Sequence, residues 1–143
     1  MDRVSGNIPH IARSIAELFL PYMVEASRNF GHVYYGCCER LDDRIETILS
    51  AFDNIRAVSV SAWSHLEKMA EALGNRYVYS RKPAPANISG TCPDWEAARK
   101  DIERTVKAAR DCNLEIIMRD VYTLGGDRSR LGRWADMVRA LIS

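Results

Sequence analysis

The 143-residue sequence predicts an α/β fold: about four parallel βα units preceded by N-terminal helices. Short β-branched and aromatic runs recur along the chain and read as strands. Each is followed by a longer stretch with apolar residues three and four apart, the spacing of one helix face. Alternating strand and helix implies a parallel sheet, because parallel strands need crossover connections, and these are nearly always right-handed. The length suits one domain, and no linker or low-complexity tract divides it.

The elements follow in order. Pro9 suits a helix start over Ile8 to Phe19, and Pro21 suits a restart carrying Tyr22, Val24, Ala26 and Phe30. Gly31 closes this helical lead-in, residues 8–30, and launches the βα units of residues 32–143. The strands are His32 to Cys37, Ala57 to Ser61, Tyr77 to Lys82 and Leu114 to Asp120. The first helix after a strand, Asp42 to Phe52, places Ile45, Ile48, Leu49 and Phe52 on one face. The second, Trp63 to Leu73, does so with Leu66, Met69, Ala70 and Leu73, and Gly74 stops it. The third, Asp94 to Cys112, buries a stripe of Trp95, Ala98, Ile102, Val106 and Ala109. The last, Ser129 to Ile142, carries Leu131, Trp134, Ala135, Val138 and Leu141 or Ile142. Four parallel strands make either a small open sheet or half of an eight-stranded barrel, which typically needs about 250 residues.

Composition narrows the function classes. Lys plus Arg is 20 and Asp plus Glu is 19, a net charge of +1, which argues against nucleic acid and polybasic membrane anchoring. No apolar run approaches the roughly 20 residues of a membrane span. No basic-then-apolar leader opens the chain, so the expected location is the cytosol. Cys37, Cys38, Cys92 and Cys112 are then thiols or metal ligands rather than a disulfide framework.

The segments LPYMVEASRNFGHVYYGCCERLD (Leu20 to Asp42), VSVSAWSHLEKMAEALG (Val58 to Gly74), YVYSRKPAPA (Tyr77 to Ala86) and LEIIMRD (Leu114 to Asp120) fall in this order. The series resembles the uroporphyrinogen decarboxylase-like superfamily, in its branch related to corrinoid-dependent methyltransferases. The most specific pieces are FGHVYYGCCE and SRKPAPA, and the resemblance spans about Ile15 to Ile142. Members are (β/α)8 TIM barrels more than twice this length. The resemblance therefore implies that residues 1–143 are the C-terminal half of such a barrel. It also implies a small-molecule substrate, with tetrapyrrole decarboxylation or methyl transfer as the chemistry. A corrinoid carrier protein would be a partner and zinc a cofactor. The methyltransferases' His-x-Cys zinc pair falls on Tyr35-Gly36-Cys37, so Tyr35 stands where the His would be and Cys37 alone is retained. The later zinc Cys falls near Asp120, which could be an oxygen ligand. The decarboxylases' acidic catalytic residue belongs to the N-terminal half.

Candidate residues cluster where strands end, the working rim of βα folds. Cys37, Cys38 and Glu39 end the first strand, and a thiolate with a carboxylate suits zinc. A small buried thiol is the plainer alternative. Ser61 and Trp63 end the second; Trp63 could stack on a planar ligand or pack on its neighbours. Arg81 and Lys82 end the third, where two cations suit a carboxylate or phosphate, or simply solvate the loop. Asp120 ends the fourth and could bind metal, orient a ligand, or pair with Arg81 or Lys82. Tyr34 and Tyr35 alternate across the first strand, and Tyr35, in the matched motif, is the candidate ligand contact. His10, His32 and His65 lack metal-ligand spacing. Arg99, Lys100, Arg104, Lys107 and Arg110 interleave with acids as a solvated helix face. Gly125-Gly126-Asp127 reads as a turn or a phosphate cradle before the last helix.

Two functions follow. One is a half barrel binding its ligand at Tyr35, Cys37, Glu39, Arg81, Lys82 and Asp120 and acting with a complementary half. The other is a non-catalytic remnant or binding subunit that pairs with itself through open barrel edges, which an incomplete barrel leaves raw.

Overall fold

A computed structural model describes residues 15–36 and 38–143, with side chains from Glu17 onward. The expected helix start at Ile8 and the candidate zinc ligand Cys37 lie outside the described residues. A single π-helical turn, Ile15–Phe19, runs into α1 (Leu20–Ser27), with Pro21 in the first turn as expected. Then come β1 (Val33–Tyr35), α2 (Ile45–Ala51), β2 (Ile55–Val60), α3 (Leu66–Leu73) and β3 (Val78–Arg81). A 3-10 turn (Pro85–Asn87), α4 (Trp95–Ala108), β4 (Asn113–Ile116) and α5 (Ser129–Ile142) complete the order.

All four strands are parallel, in the spatial order β1-β2-β3-β4. Successive strands that always step to the next position through right-handed crossovers put their helices on one face. The sheet is not closed: β1 and β4 are its two edges. This is the open, partial βα repeat that the sequence pattern implies.

Register sorts the side chains. Tyr35, Val58, Tyr79 and Leu114 align across the sheet, as do Val60, Arg81 and Ile116. The first set joins Ile45, Ile48, Leu66, Met69 and Leu73 in the larger core, so this is the helix-covered face. Burying such side chains contributes about 1.5–3 kcal/mol each. A second core joins Ile88, Ala98, Ile102, Trp134, Met137 and Val138 between α4 and α5, with Ile116 against it. The opposite face carries Tyr34, Ala57 and Val78 in one row and Ser59, Ser80 and Glu115 in another.

Several boundaries move inward from expectation, each for a local reason. Helix α2 starts at Ile45 rather than Asp42, because a turn closed by the Arg44 N–H on the Leu41 carbonyl (2.9 Å) comes first. Helix α3 starts at Leu66 rather than Trp63, because Ser61 and Ser64 close another turn, N–H to carbonyl at 3.2 Å. Gly74 ends α3 at φ +49°, a left-handed conformation that favours glycine. Helix α4 begins with Asp94 accepting the Ala97 N–H at 2.9 Å and stops at Ala108, where a turn to Cys112 takes over. Strand β4 ends at Ile116, not Asp120. Its neighbour among the described residues, β3, ends at Arg81 just before Pro83, so past the Ile117 N–H to the Arg81 carbonyl (2.9 Å) the ladder stops. On α5 the buried set is Arg130, Trp134, Met137 and Val138, while the expected Leu131 is exposed.

Candidate functional site

Parallel strands finish at one end of the sheet, so the segments after β1, β2, β3 and β4 form a common rim, the usual place for a ligand in open and closed βα folds. The residues proposed from the sequence do approach this rim, but their side chains divide between the two faces.

Arg81 is the clearest case. Its side chain is 1% exposed and points to the helix-covered face. There the guanidinium donates to the Asp101 carboxylate at 2.9 Å, to Thr105 Oγ1 at 3.1 Å, and to the carbonyls of Val60, Ser61 and Lys82. The fork that suggested anion recognition is thus consumed inside the protein. A five-donor planar group can hold this many acceptors at once, which a lysine cannot. Its work is mechanical: it ties the ends of β2 and β3 to α4.

The two tyrosines of β1 take the opposite roles from those expected. Tyr35 lies on the helix side, where its ring meets Phe52 edge-on at 5.9 Å between centroids. Tyr34 lies on the open face, 42% exposed. Its hydroxyl is 2.9 Å from Ser80 Oγ on β3, and the Lys82 ammonium stands over its ring, 5.2 Å from the centroid. A Cβ on Gly36 would come within 3.1 Å of the Tyr34 ring, so the glycine leaves the ring its place. Tyr34 and Ser80 were not singled out from the sequence. Only the two-residue alternation along β1 and β3 hinted at their common face.

The other candidates are dispersed. The Ser61 hydroxyl is buried, 3.2 Å from Ser64 Oγ, and it accepts the Trp63 N–H at 3.3 Å, so it shapes the turn. Trp63 is 73% exposed on that turn, a ring available to a partner or ligand. Glu39 pairs with Arg44 at 2.9 Å. Asp120 is three residues beyond the last ladder bond to β4, with its carboxylate 3.9 Å from Arg119 and 76% exposed. Zinc needs three or four converging donors. Among the described residues no three His, Cys, Asp or Glu side chains gather in that way. Tyr35 is turned to the core, Glu39 pairs with Arg44, and Asp120 lies beside Arg119.

Two structural anchors behind the rim were missed. Asp42 is buried and accepts the His65 N–H at 2.8 Å, fastening the loop after β1 to the start of α3, while Arg40 sits 3.0 Å from its second oxygen. Arg130, at the start of α5, is buried and donates to the carbonyls of Ile88 (3.3 Å), Gly90 (2.6 Å) and Thr91 (3.2 Å). Gly125 packs against the same place: at φ +59°, its Cβ would lie 2.8 Å from the Gly90 carbonyl oxygen. The Gly-Gly-Asp segment therefore serves a clasp between the loops after β3 and β4. Asp127 accepts both the N–H (2.9 Å) and hydroxyl (2.6 Å) of Ser129, and the hydroxyl bond is the larger cause holding its carboxyl below the usual range.

No family model, no curated protein and no solved structure matches this chain.

Proposed function

We propose that this chain is the C-terminal half of a uroporphyrinogen decarboxylase-like barrel, in the branch related to corrinoid-dependent methyltransferases. It would bind a small-molecule ligand over the strand C-termini and take part in methyl transfer or tetrapyrrole-related chemistry, joined to a complementary half. The observation carrying this reading is the open sheet of four consecutive parallel strands, bearing Lys82 at its rim. The order FGHVYYGCCE then SRKPAPA supports the family. A corrinoid carrier protein is the partner proposed for methyl transfer. Zinc enters this reading through Cys37 with Asp120 as an oxygen ligand, and no step is drawn through it.

The experiment is reconstitution. The chain is mixed with a separately produced N-terminal half of a uroporphyrinogen decarboxylase-like barrel. The mixture is assayed for demethylation of methylcobalamin by an added thiol, and for loss of carboxyl groups from uroporphyrinogen. Complex formation with either activity supports the reading. A chain that stays apart and inert with such halves defeats it.

A second reading, a non-catalytic subunit pairing with itself, has its own observation. Leu18, Phe19, Tyr22 and Met23 are exposed on α1 and the turn before it. At the β4 edge an open groove of about 400 Å³ is lined by Val106, Leu114, Ile116, Val138 and Ile142 together with Arg110 and Glu115. Exposed apolar side chains and raw strand edges both mark association surfaces. Sedimentation of the isolated chain tests it: a metal-free, inactive dimer favours this reading, and a monomer up to high concentration rejects it.

A further inference from the structure

We propose that Lys82 and Tyr34, with buried Ser80 fixing the Tyr34 hydroxyl, form an oxyanion site at the strand ends on the sheet face opposite Arg81, taking the carboxylate or phosphate group of the ligand. The inference rests on the preceding reading in placing that ligand over the strand C-termini, and it adds the ligand's chemical class.

The site begins with the backbone. The Lys82 N–H donates to the Val60 carbonyl at 2.9 Å and its own carbonyl accepts from buried Arg81 at 3.3 Å, so Lys82 is held from both sides. Alternation then sends the Lys82 side chain to the face opposite Arg81. There it meets the Tyr34 ring and, among the described residues, no carboxylate within ion-pair distance. The contrast with its neighbour is chemical: Arg81 is neutralised by Asp101, whereas half-buried Lys82 meets, among the described residues, the Tyr34 ring and no counter-charge. A ring face attracts the cation while leaving its N–H groups able to reach an oxyanion.

The hydroxyls complete the set. Tyr34 Oη and Ser80 Oγ share one hydrogen bond at 2.9 Å. Two hydroxyls in one such bond use one hydrogen and leave the other. Ser80 is fully buried and Tyr34 is partly exposed, so with Ser80 donating, the Tyr34 hydrogen is the one that turns to a ligand. The ring is pinned by Gly36, Ser80 and Lys82, so little freedom is lost on binding. Glu115 stands beside Ser80 on the same face, and its charge opposes a second anionic group there.

The test is an NMR titration of the full chain at constant ionic strength, with inorganic phosphate in one arm and succinate in the other. We expect saturable shifts of the Lys82 side-chain and Tyr34 ring signals in at least one arm, and the tighter arm identifies the group. Lys82→Met removes a charge-assisted hydrogen bond to the anion and should weaken binding about tenfold or more. Tyr34→Phe should weaken it by roughly fivefold, one neutral hydrogen bond. Glu115→Gln should tighten it. It leaves Lys82 intact, so it also serves if Lys82→Met folds poorly. Silent Lys82 and Tyr34 signals in both arms, equal binding by a folded Lys82→Met, or weaker binding by Glu115→Gln overturns the proposal. Reconstituted activity indifferent to Lys82→Met sinks this inference alone. Binding at Lys82 without activity in any pairing sinks the family reading alone.

Discussion

Replacing Asp101 by Asn strips the Arg81 guanidinium of its counter-charge while keeping the side chain's shape. The pair is 2.9 Å apart, with side chains 1% and 12% exposed. At an effective dielectric constant near 20, two charges at that distance attract by about 6 kcal/mol before desolvation is counted. Removing one partner from buried pairs costs about 3–5 kcal/mol, because the other charge stays buried. Arg81 keeps three carbonyls and Thr105, and Arg104, which contacts Asp101 at 3.5 Å, is exposed to water, so the lower end applies: about 3 kcal/mol. In urea titration the midpoint should fall with an unchanged slope, and the melting temperature should drop by roughly 10 °C for a domain of this size. Arg81→Lys should cost as much although it keeps the charge, because an ammonium cannot reproduce the fork. Amide exchange at Ser64 and Lys82 should quicken in both variants, since their N–H groups donate to the Ser61 and Val60 carbonyls that the same guanidinium holds. A loss below about 1 kcal/mol for Asp101→Asn would mean that the carbonyls alone compensate the cation, and the ion-pair argument would be wrong.

Three further outcomes follow from the same geometry. Asp42→Ala removes the acceptor of the His65 N–H and should cost about 1–2 kcal/mol in denaturant unfolding, with faster amide exchange confined to the start of α3. Gly125→Ala meets both a left-handed backbone and the Gly90 carbonyl, so it should cost about 1–3 kcal/mol and loosen the Arg130 clasp, visible as earlier proteolysis between Ile88 and Thr91. Asp127 has its carboxyl held below the ordinary carboxylate value in the folded chain, by the Ser129 hydroxyl first. Folding therefore favours its charged form, and the stabilisation is complete above the unfolded value and lost as pH falls through the lower folded one. Asp127→Asn should flatten stability against pH only in that acidic window, measured by thermal melts from neutral to strongly acid solution.

The thiols divide by environment as well. Cys38 and Cys92 are exposed, whereas Cys112 is half-buried with its sulfur 3.6 Å from the Ala70 carbonyl, and burial, with Asp111 adding, pushes its thiol up. Alkylation mapped peptide by peptide near neutral pH should mark Cys112 later than Cys38 and Cys92. Equal rates at the three would contradict that burial.

The order of elements, their type and the parallel sheet were legible in the chain itself, because they depend on local periodicity: Leu66, Met69 and Leu73 announce one face of α3, and Val58 and Val60 one face of β2. Gly74 and Asp94 marked helix ends through backbone chemistry that acts within a few residues. What the chain could not show is which partner each polar side chain finds. Arg81 and Lys82 are adjacent cations in the sequence. Alternation sends one to Asp101, 20 residues away on α4, and the other to the Tyr34 ring on β1. Tyr35, the expected ligand contact, faces the helices because the face of each side chain follows from pairing with β2, where the register shifts between Val33 and Tyr34. The length of β4 was likewise decided from outside: Asp120 left the sheet because β3 ends at Arg81. Local periodicity acts through bonds and near neighbours, so sequence carries it. Pairing across strands is a property of the assembled sheet, and only the tertiary structure decides it.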